Sequence, residues 1–441
     1  MRLKGIRVPH KKNTADKAPV KMPLPKWVKI PMSMHIGKPA VPLVKIGDRV
    51  KTGQLIGKAE GFISAPVHSS VTGVVKKIEK LTVYGGAKTD AVVIETDENQ
   101  EICESVTPPA VSDFNSFIQA VKESGIVGLG GAGFPTFVKL SVKDLSKLDA
   151  IVINSAECEP YITSDTRTML DRTDSIARGI RLLQKYLQTE RVIIGIENNK
   201  KKCIEKMQEM SQSIKGVEVK ILPSVYPQGG EKVLVYNTVG KIIPKGGLPI
   251  DAGVVVINCT TLASIADYIK TGMPLIEKCI TVDGSAVKNP CNVIAPIGAP
   301  IEDIFEFCGG FKSEPKKILY GGPMMGISVP SLEVPVLKMT NALIAMDEQE
   351  AKPPKTTQCI NCGRCLSHCP LRLDPRAIAK AYKLDLPKEL EALCVDLCME
   401  CGCCSYVCPA KRPLVQTNKL AKDKLKKYRA ENNSKDGEAK K

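Results

Sequence analysis

The chain has 441 residues, 43% of them hydrophobic and only 4% aromatic, with 63 Lys and Arg against 47 Asp and Glu for a formal charge of +16. It is too long for one core and divides into about three or four units at roughly 100 to 200 residues each. The shortage of aromatics and the lack of a zinc-finger or RNA-binding signature exclude nucleic acid as the partner of that charge, and no apolar run reaches the 18 or so residues of a membrane span.

The first residues, MRLKGIRVPHKKNTADK, carry no apolar signal core, which together with 17 cysteines reads as a cytoplasmic, reducing setting. Much of the positive excess lies at the two ends, in KGIRVPHKKNTADKAPVK and KLAKDKLKKYRAENNSKDGEAKK. Such runs read as solvated, partly disordered tails, or else as docking segments for an acidic partner or an anionic membrane face.

After the first tail, short strands broken by turns run through 37–78. The stretch GDRVKTGQLIG at 47–57, followed by SAPVHSSVTGVV, resembles the barrel-sandwich hammerhead of lipoyl and biotinyl carriers. Those carriers offer a lysine in an exposed hairpin. The matching residues here, Glu60, Gly61, Phe62, Ile63 and Ser64, contain none, so the module is read as structural.

From about 115 the pattern alternates helix and strand. FIQAVKESG reads as a helix, 150–154 (AIVIN) as a buried strand, and SIARGIRLLQKYLQ as an amphipathic helix with Ile176, Ile180, Leu183 and Leu187 on one face. RVIIGIE, a lysine-rich helix, VEVKILP and a helix from Glu231 continue an α/β unit with a mainly parallel sheet. From Val254 a strand, the helix LASIADYIKTG, short strands around ITVDGSAVKNPCNVIAPIG, the helix IEDIFEFCGG and the strand KKILYGG suit a β-grasp module. The remainder reads as helical, with Asp374-Pro375 and Pro387 each starting a helix.

Two segments carry chemistry. The first is GLGGAGFPTFVKLS, with glycines at 128, 130, 131 and 133, followed at one strand's remove by NSAECEP at 154–160. Glycines let backbone amides approach an anion closely, and carboxylates just past a buried strand sit where open α/β sheets bind ligands. Taken alone, such a loop is a weak signal, and Glu157 with Glu159 also suits a helix start or a solvated turn.

The second segment is a repeated cysteine spacing, CINCGRCLSHCP and CMECGCCSYVCP. In two-cluster ferredoxins the first three cysteines of such a motif wrap one cube and the fourth reaches across to the other. That rule groups Cys359, Cys362, Cys365 and Cys408 on one 4Fe-4S cluster, and Cys398, Cys401, Cys404 and Cys369 on the second. Zinc knuckles or a disulfide framework are the rival readings. Cys394 and Cys403 fall outside the spacing and are read as non-ligands. Cys103, Cys203, Cys279, Cys291 and Cys308 read as packed thiols, and His10, His35, His68 and His368 form no metal triad.

The glycine loop and NSAECEP together resemble the flavin and NADH site of the complex I flavoprotein subunit. The resemblance implies that the loop at Gly128, Gly130, Gly131 and Gly133, with Lys139, holds the phosphate of FMN. It places Asn154 and Glu157 at the flavin's polar edge, Phe134 in a stack on NAD(H), and Glu159 at the ribose or nicotinamide side. It adds Gly230 and Glu231 from GGEK, and Asn258 and Thr261 from INCTT, to the flavin site. Ala156, Lys232 and Ile257 depart from that family's aspartate, glutamate and asparagine.

The order of modules resembles the RnfC family over nearly the whole chain. It implies a multidomain α/β protein: tail and hammerhead at 1–112, FMN/NADH domain at 113–250, β-grasp (SLBB) domain at 251–340, helical two-cluster ferredoxin domain at 341–430, and a basic disordered tail at 431–441. Membership would make the chain a peripheral subunit on the cytoplasmic face of the bacterial membrane. It would pass electrons between NAD(H), FMN and two 4Fe-4S clusters in a complex that couples ferredoxin:NAD oxidoreduction to Na+ or H+ movement, with membrane and ferredoxin-like Rnf subunits as partners. A microcompartment cobalamin reductase, whose hammerhead-like region comes last, and a non-catalytic relay or scaffold are the alternatives.

Overall fold

The computed structural model describes residues 5–82, 86 and 88–438, with the side chains of 433–438 left aside. The chain forms two compact units. One joins His10–Leu222 to Gly253–Ala351; the other joins Met1–Pro9, Pro223–Ala252 and Lys352–Lys441.

The larger unit contains three modules. Its first has a four-stranded antiparallel sheet ordered Trp27–Pro31, Lys88–Thr96, Gly73–Thr82, Arg49–Val50, beside a three-stranded sheet of Val41–Pro42, Leu55–Lys58 and Val67–His68. Val28, Ile30, Val75, Val92 and Ile94 fill the interior.

Its second module is a four-stranded parallel sheet ordered Val217–Leu222, Val192–Glu197, Ala150–Ser155, Val254–Asn258. The three strands other than Val217–Leu222 are almost entirely buried, as their near-continuous apolar sequences require of a sheet covered on both faces. The helix Thr173–Leu187 buries Ile176, Ile180, Leu183 and Leu187, the face that its period predicts. A Cβ on Gly179 would lie 2.7 Å from the Leu262 side chain, so glycine there lets this helix close on the helix Cys259–Thr271.

The strand Val254–Asn258 corrects the boundary expected at 250. It pairs with 150–154 in the parallel sheet instead of opening the β-grasp module, because its five residues, mostly apolar, fill the open edge of that sheet. Conversely, the helix Glu231–Val239 belongs to the smaller unit.

The third module is a six-stranded sheet ordered Val20–Lys21, Cys291–Pro296, Glu277–Asp283, Ala342–Met346, Lys317–Tyr320, Ile327–Ser328. Ile280, Val282, Val293, Ile304, Phe305 and Leu343 form its core, under the helix Ile301–Phe307. The fully buried strand Ala342–Met346 lies past the boundary expected at 340 and belongs inside this sheet.

The smaller unit is mainly helical. Asp374 caps the helix Pro375–Lys383 by accepting the amides of Arg376 (3.0 Å) and Ala377 (3.1 Å), and Pro387 opens the helix Pro387–Ala392. These pack on the helix Leu414–Glu438 through Ile378, Ala381, Leu390, Val395, Ala421 and Leu425. That helix runs through 431–438, where the sequence reading expects a disordered tail; 439–441 lie outside the described residues. No helix among the described residues is long and apolar enough to cross a membrane.

Candidate cofactor sites

In the larger unit the glycine loop closes on itself. Gly128 N–H donates to the Phe134 carbonyl (2.8 Å) and Gly133 N–H to the Gly128 carbonyl (3.1 Å). Gly131 and Gly133 hold φ of +114° and +65°, conformations that side chains resist. At the tip, Gly130 and Ala132 are exposed and Gly131 half-buried. Among the described residues the amides of Gly130, Gly131 and Ala132 have no hydrogen-bond partner. Consecutive free amides on a turn without Cβ bulk suit the oxygens of a phosphate, so the loop fits the phosphate end of FMN.

The loop is braced from below. Leu129 N–H donates to Thr261 Oγ1 (2.9 Å), and Lys278 Nζ donates to the Leu129 carbonyl (2.7 Å). Asn258 Oδ1 caps the helix Cys259–Thr271 by accepting the amides of Thr260 and Thr261, and its Nδ2 donates to Asp165 (2.7 Å). Asn154 is the register partner of Asn258 at the carboxyl ends of adjacent parallel strands. The structure therefore gathers Gly128, Gly130, Gly131, Gly133, Asn154, Asn258 and Thr261 at one end of the sheet. Phe134 is half-buried at the loop's end, and Lys139 half-buried on the short helix Thr136–Leu140.

Glu157 sits at a φ of +45°, and its buried carboxylate accepts the Asp165 amide (2.6 Å) and the Thr166 hydroxyl (2.5 Å) at the start of the helix Ser164–Asp171. Burial pushes its pKa up, opposed mainly by Lys12, whose Nζ lies 4.0 Å away. The Glu159 carboxylate instead accepts the amides of Met324 (3.0 Å) and Met325 (2.8 Å), tying the acidic loop to the β-grasp module.

Lys12 corrects the reading of the first residues as a solvated tail. From a half-buried side chain its Nζ donates to the carbonyls of Glu157 (2.9 Å), Glu159 (2.8 Å) and Ile162 (2.5 Å), and Tyr161 N–H donates to the His10 carbonyl (3.0 Å). Three carbonyls turned inward need a donor, and the long lysine stem delivers one. Burial lowers the pKa of Lys12 to about 8 and that of Lys278 to about 7.

Sequence reasoning passed over Lys12, Asp165 and Lys278. Only Lys278 leaves a local signal: it shares the inward face of the strand Glu277–Asp283 with Ile280 and Val282.

In the smaller unit the cysteines sort into two cavities. One is lined by Cys359, Cys362, Cys365 and Cys408, the other by Cys369, Cys398, Cys401 and Cys404. The crossed grouping is the one that the motif spacing predicts. Cys359 and Cys362 are exposed, whereas Cys401, Cys404 and Cys408 are buried.

Burial, then the charges of its neighbours, pushes the Cys404 thiol up to about 12, and burial raises Cys369 and Cys398 as well, so thiolates gathered in that cavity need a central cationic group. Each tetrad brings four sulfurs to one cavity, the donor set of an iron-sulfur cube. Among the described residues no group of three or more His, Cys, Asp and Glu is arranged for a single metal ion.

Around the cavities, Arg376 and Arg412 line the first, and Asn418 Nδ2 donates to Cys398 Sγ (3.4 Å) in the second. Cys403 lines the second cavity but directs its sulfur to the Tyr226 carbonyl (3.9 Å), and Cys394 Sγ accepts from Lys245 Nζ (3.0 Å). Gly230 and Glu231 belong to this unit, whereas the other flavin-site candidates belong to the larger one. A Cβ on Gly230 would overlap Met399 Cε, and Met399 lines the Cys398 cavity.

Family models match along the chain: the RnfC barrel sandwich hybrid domain at 2–99, the Nuo51 FMN-binding domain at 121–267 and the SLBB domain at 279–328. The RnfC protein of the Na(+)-translocating ferredoxin:NAD(+) oxidoreductase complex of Acetobacterium woodii is 40% identical over 433 residues, 97% of this chain and 98% of that protein. The chain belongs to this RnfC family.

The RnfC protein of the proton-translocating ferredoxin:NAD(+) oxidoreductase complex of Clostridium ljungdahlii is 41% identical over 86% of this chain and 83% of its own length. That of the ion-translocating oxidoreductase complex of Rhodobacter capsulatus is 37% identical over 94% of this chain and 81% of its own length. An NAD+-reducing NiFe hydrogenase shares the fold at a TM-score of 0.52 and 16% identity, covering 71% of this chain and 63% of its own. RnfC relatives spanning the chain favour that reading over the cobalamin reductase and the relay.

Proposed function

We propose that this RnfC chain is the NAD(H)-reacting electron-transfer subunit of a ferredoxin:NAD oxidoreductase complex that moves Na+ or H+ across the bacterial membrane. FMN on the 128–133 loop and a 4Fe-4S cluster on each cysteine tetrad would supply the conversion between a two-electron hydride and single electrons. The observation that carries the reading is the pairing, in one RnfC chain, of a braced glycine loop with two crossed cysteine cavities.

The chain's own residues have separable tasks. The amides of Gly130, Gly131 and Ala132 hold a phosphate, while Thr261 and Lys278 keep the loop in shape. Asn154, Glu157 and Glu159 border the space for the flavin and the dinucleotide, and Phe134 offers a ring for stacking. Lys12 holds the acidic loop from behind.

The tetrad with Cys359 and Cys362 is the more exposed of the two, and the Asn361 amide and Arg412 favour the Cys359 thiolate. It is the exchange point with a ferredoxin-like partner. Association with the cytoplasmic face of the membrane runs through partner subunits. The proton- and Na(+)-named relatives are nearly equally similar to this chain, which favours ion selection by other subunits.

Anaerobic purification with iron, sulfide and flavin counted, followed by optical NADH titration, tests the reading. About eight irons per chain and a flavin bleached by NADH support it. A flavin-replete preparation inert to NADH overturns it in favour of a relay.

A further inference from the structure

Lys278 enters the glycine loop from another module. It lies on the strand Glu277–Asp283 of the β-grasp sheet, fully enclosed, with its Nζ 2.7 Å from the Leu129 carbonyl. That carbonyl belongs to the planar peptide unit whose N–H is that of Gly130. In a trans peptide the C=O and N–H point in opposite directions. Drawing the Leu129 oxygen inward onto an ammonium therefore turns the Gly130 N–H outward, at the exposed tip where it has no partner among the described residues. Thr261 Oγ1 fixes the preceding amide, so Leu129 is held at both its N–H and its C=O.

The same contact sets the ammonium one peptide below the free amides, where an anion at the tip holds its proton on against the burial that lowers its pKa to about 7. Water screens that charge poorly, and an anion at the loop tip feels more of its field than that of a surface lysine. Lys139, which the family resemblance assigns to phosphate, lies beyond the loop on the helix Thr136–Leu140. Lys278 is a second cation, reached through the backbone.

We propose that Lys278 is a positioning residue for the phosphate monoester of the bound flavin nucleotide, aiming the Gly130 amide and supplying the charge beneath it. The inference rests on the reading of the 128–133 loop as the flavin phosphate site. It extends that site into the β-grasp module, giving the module a part in cofactor selection.

The test is flavin-fluorescence titration of the full-length chain, clusters intact and flavin removed, with FMN and with riboflavin, which lacks the phosphate. Wild type should prefer FMN. Lys278→Met should reduce the FMN-to-riboflavin affinity ratio by about tenfold or more while riboflavin affinity stays within about twofold, and Lys278→Arg should restore most of the ratio. Lys278→Gln keeps a donor without the charge and should also lose preference; it serves if the methionine variant fails to fold. Equal weakening of both flavins, or an unchanged ratio in the methionine or glutamine variant, overturns the proposal. A wild type that binds both flavins equally instead overturns the phosphate-loop reading beneath it.

Discussion

Cys369 and Cys398 line one cavity although they belong to different copies of the cysteine motif. The Pro370 bend after Cys369 carries the chain along that cavity's wall, while Cys408 lines the other cavity beside Pro409. Cys369→Ser should therefore damage the cluster on Cys398, Cys401 and Cys404 and spare the one on Cys359, Cys362 and Cys365. Iron should fall from about eight to about four per chain, with one of two low-temperature paramagnetic signals lost. Loss of the Cys359 signal instead would mean that each motif builds its own cube.

The two tetrads differ in what surrounds them. Asn418 donates to Cys398 Sγ, and such a bond stabilises the more negative, reduced state. Asn418→Leu keeps the volume and removes the donor. The potential of the cluster on Cys398 should fall by tens of millivolts, read in an anaerobic redox titration, with the other cluster unmoved. Equal shifts in both would point to a general change of packing.

These tetrads were legible because each motif is a local repeat, three cysteines at intervals of three residues and a fourth before a proline, and the ferredoxin rule says how two such repeats exchange the fourth. The Asp374 cap and the Ala150–Ser155 strand were legible for the same reason. Lys12 was not. Its partners are carbonyls about 150 residues away, and within the polar run HKKNTADK nothing distinguishes it from a solvated lysine. The Val254–Asn258 strand escaped similarly, since a short apolar run does not say which sheet has an open edge.

Lys12 gives a test with a sign. Its pKa is about 8 in the fold against an ordinary 10.5, so between those values the unfolded chain holds a proton that the folded chain lacks. Stability from this group is fully present above 10.5 and is lost as pH falls toward 8, an amplitude on the order of 3 kcal/mol. Lys12→Met should remove this share of the alkaline rise in the urea midpoint and leave the share of Lys278 and Lys338, whose pKa values burial lowers to about 7. At pH 7 it should also cost about 2 kcal/mol by leaving inward carbonyls without a donor, and it should speed amide exchange at 157–162. An alkaline rise of undiminished size in the variant would assign the titration to other groups.

Gly230 tests whether the GGEK segment serves the clusters. Any Cβ there overlaps Met399 Cε, and Met399 shares the cavity wall with Cys398 and Cys401. Gly230 holds a φ of −64°, which alanine adopts freely, and besides Met399 a Cβ there meets only the Pro227 carbonyl oxygen closely, at 3.2 Å. Gly230→Ala should force Met399 off its rotamer at a cost of about 1–3 kcal/mol and slow reconstitution of the adjoining cluster. Met399→Ala removes the obstructing atoms, so the double variant should recover most of the loss, giving a coupling of at least about 1 kcal/mol in a double-mutant cycle. Additive effects would mean that the contact with Met399 is not what requires glycine at 230.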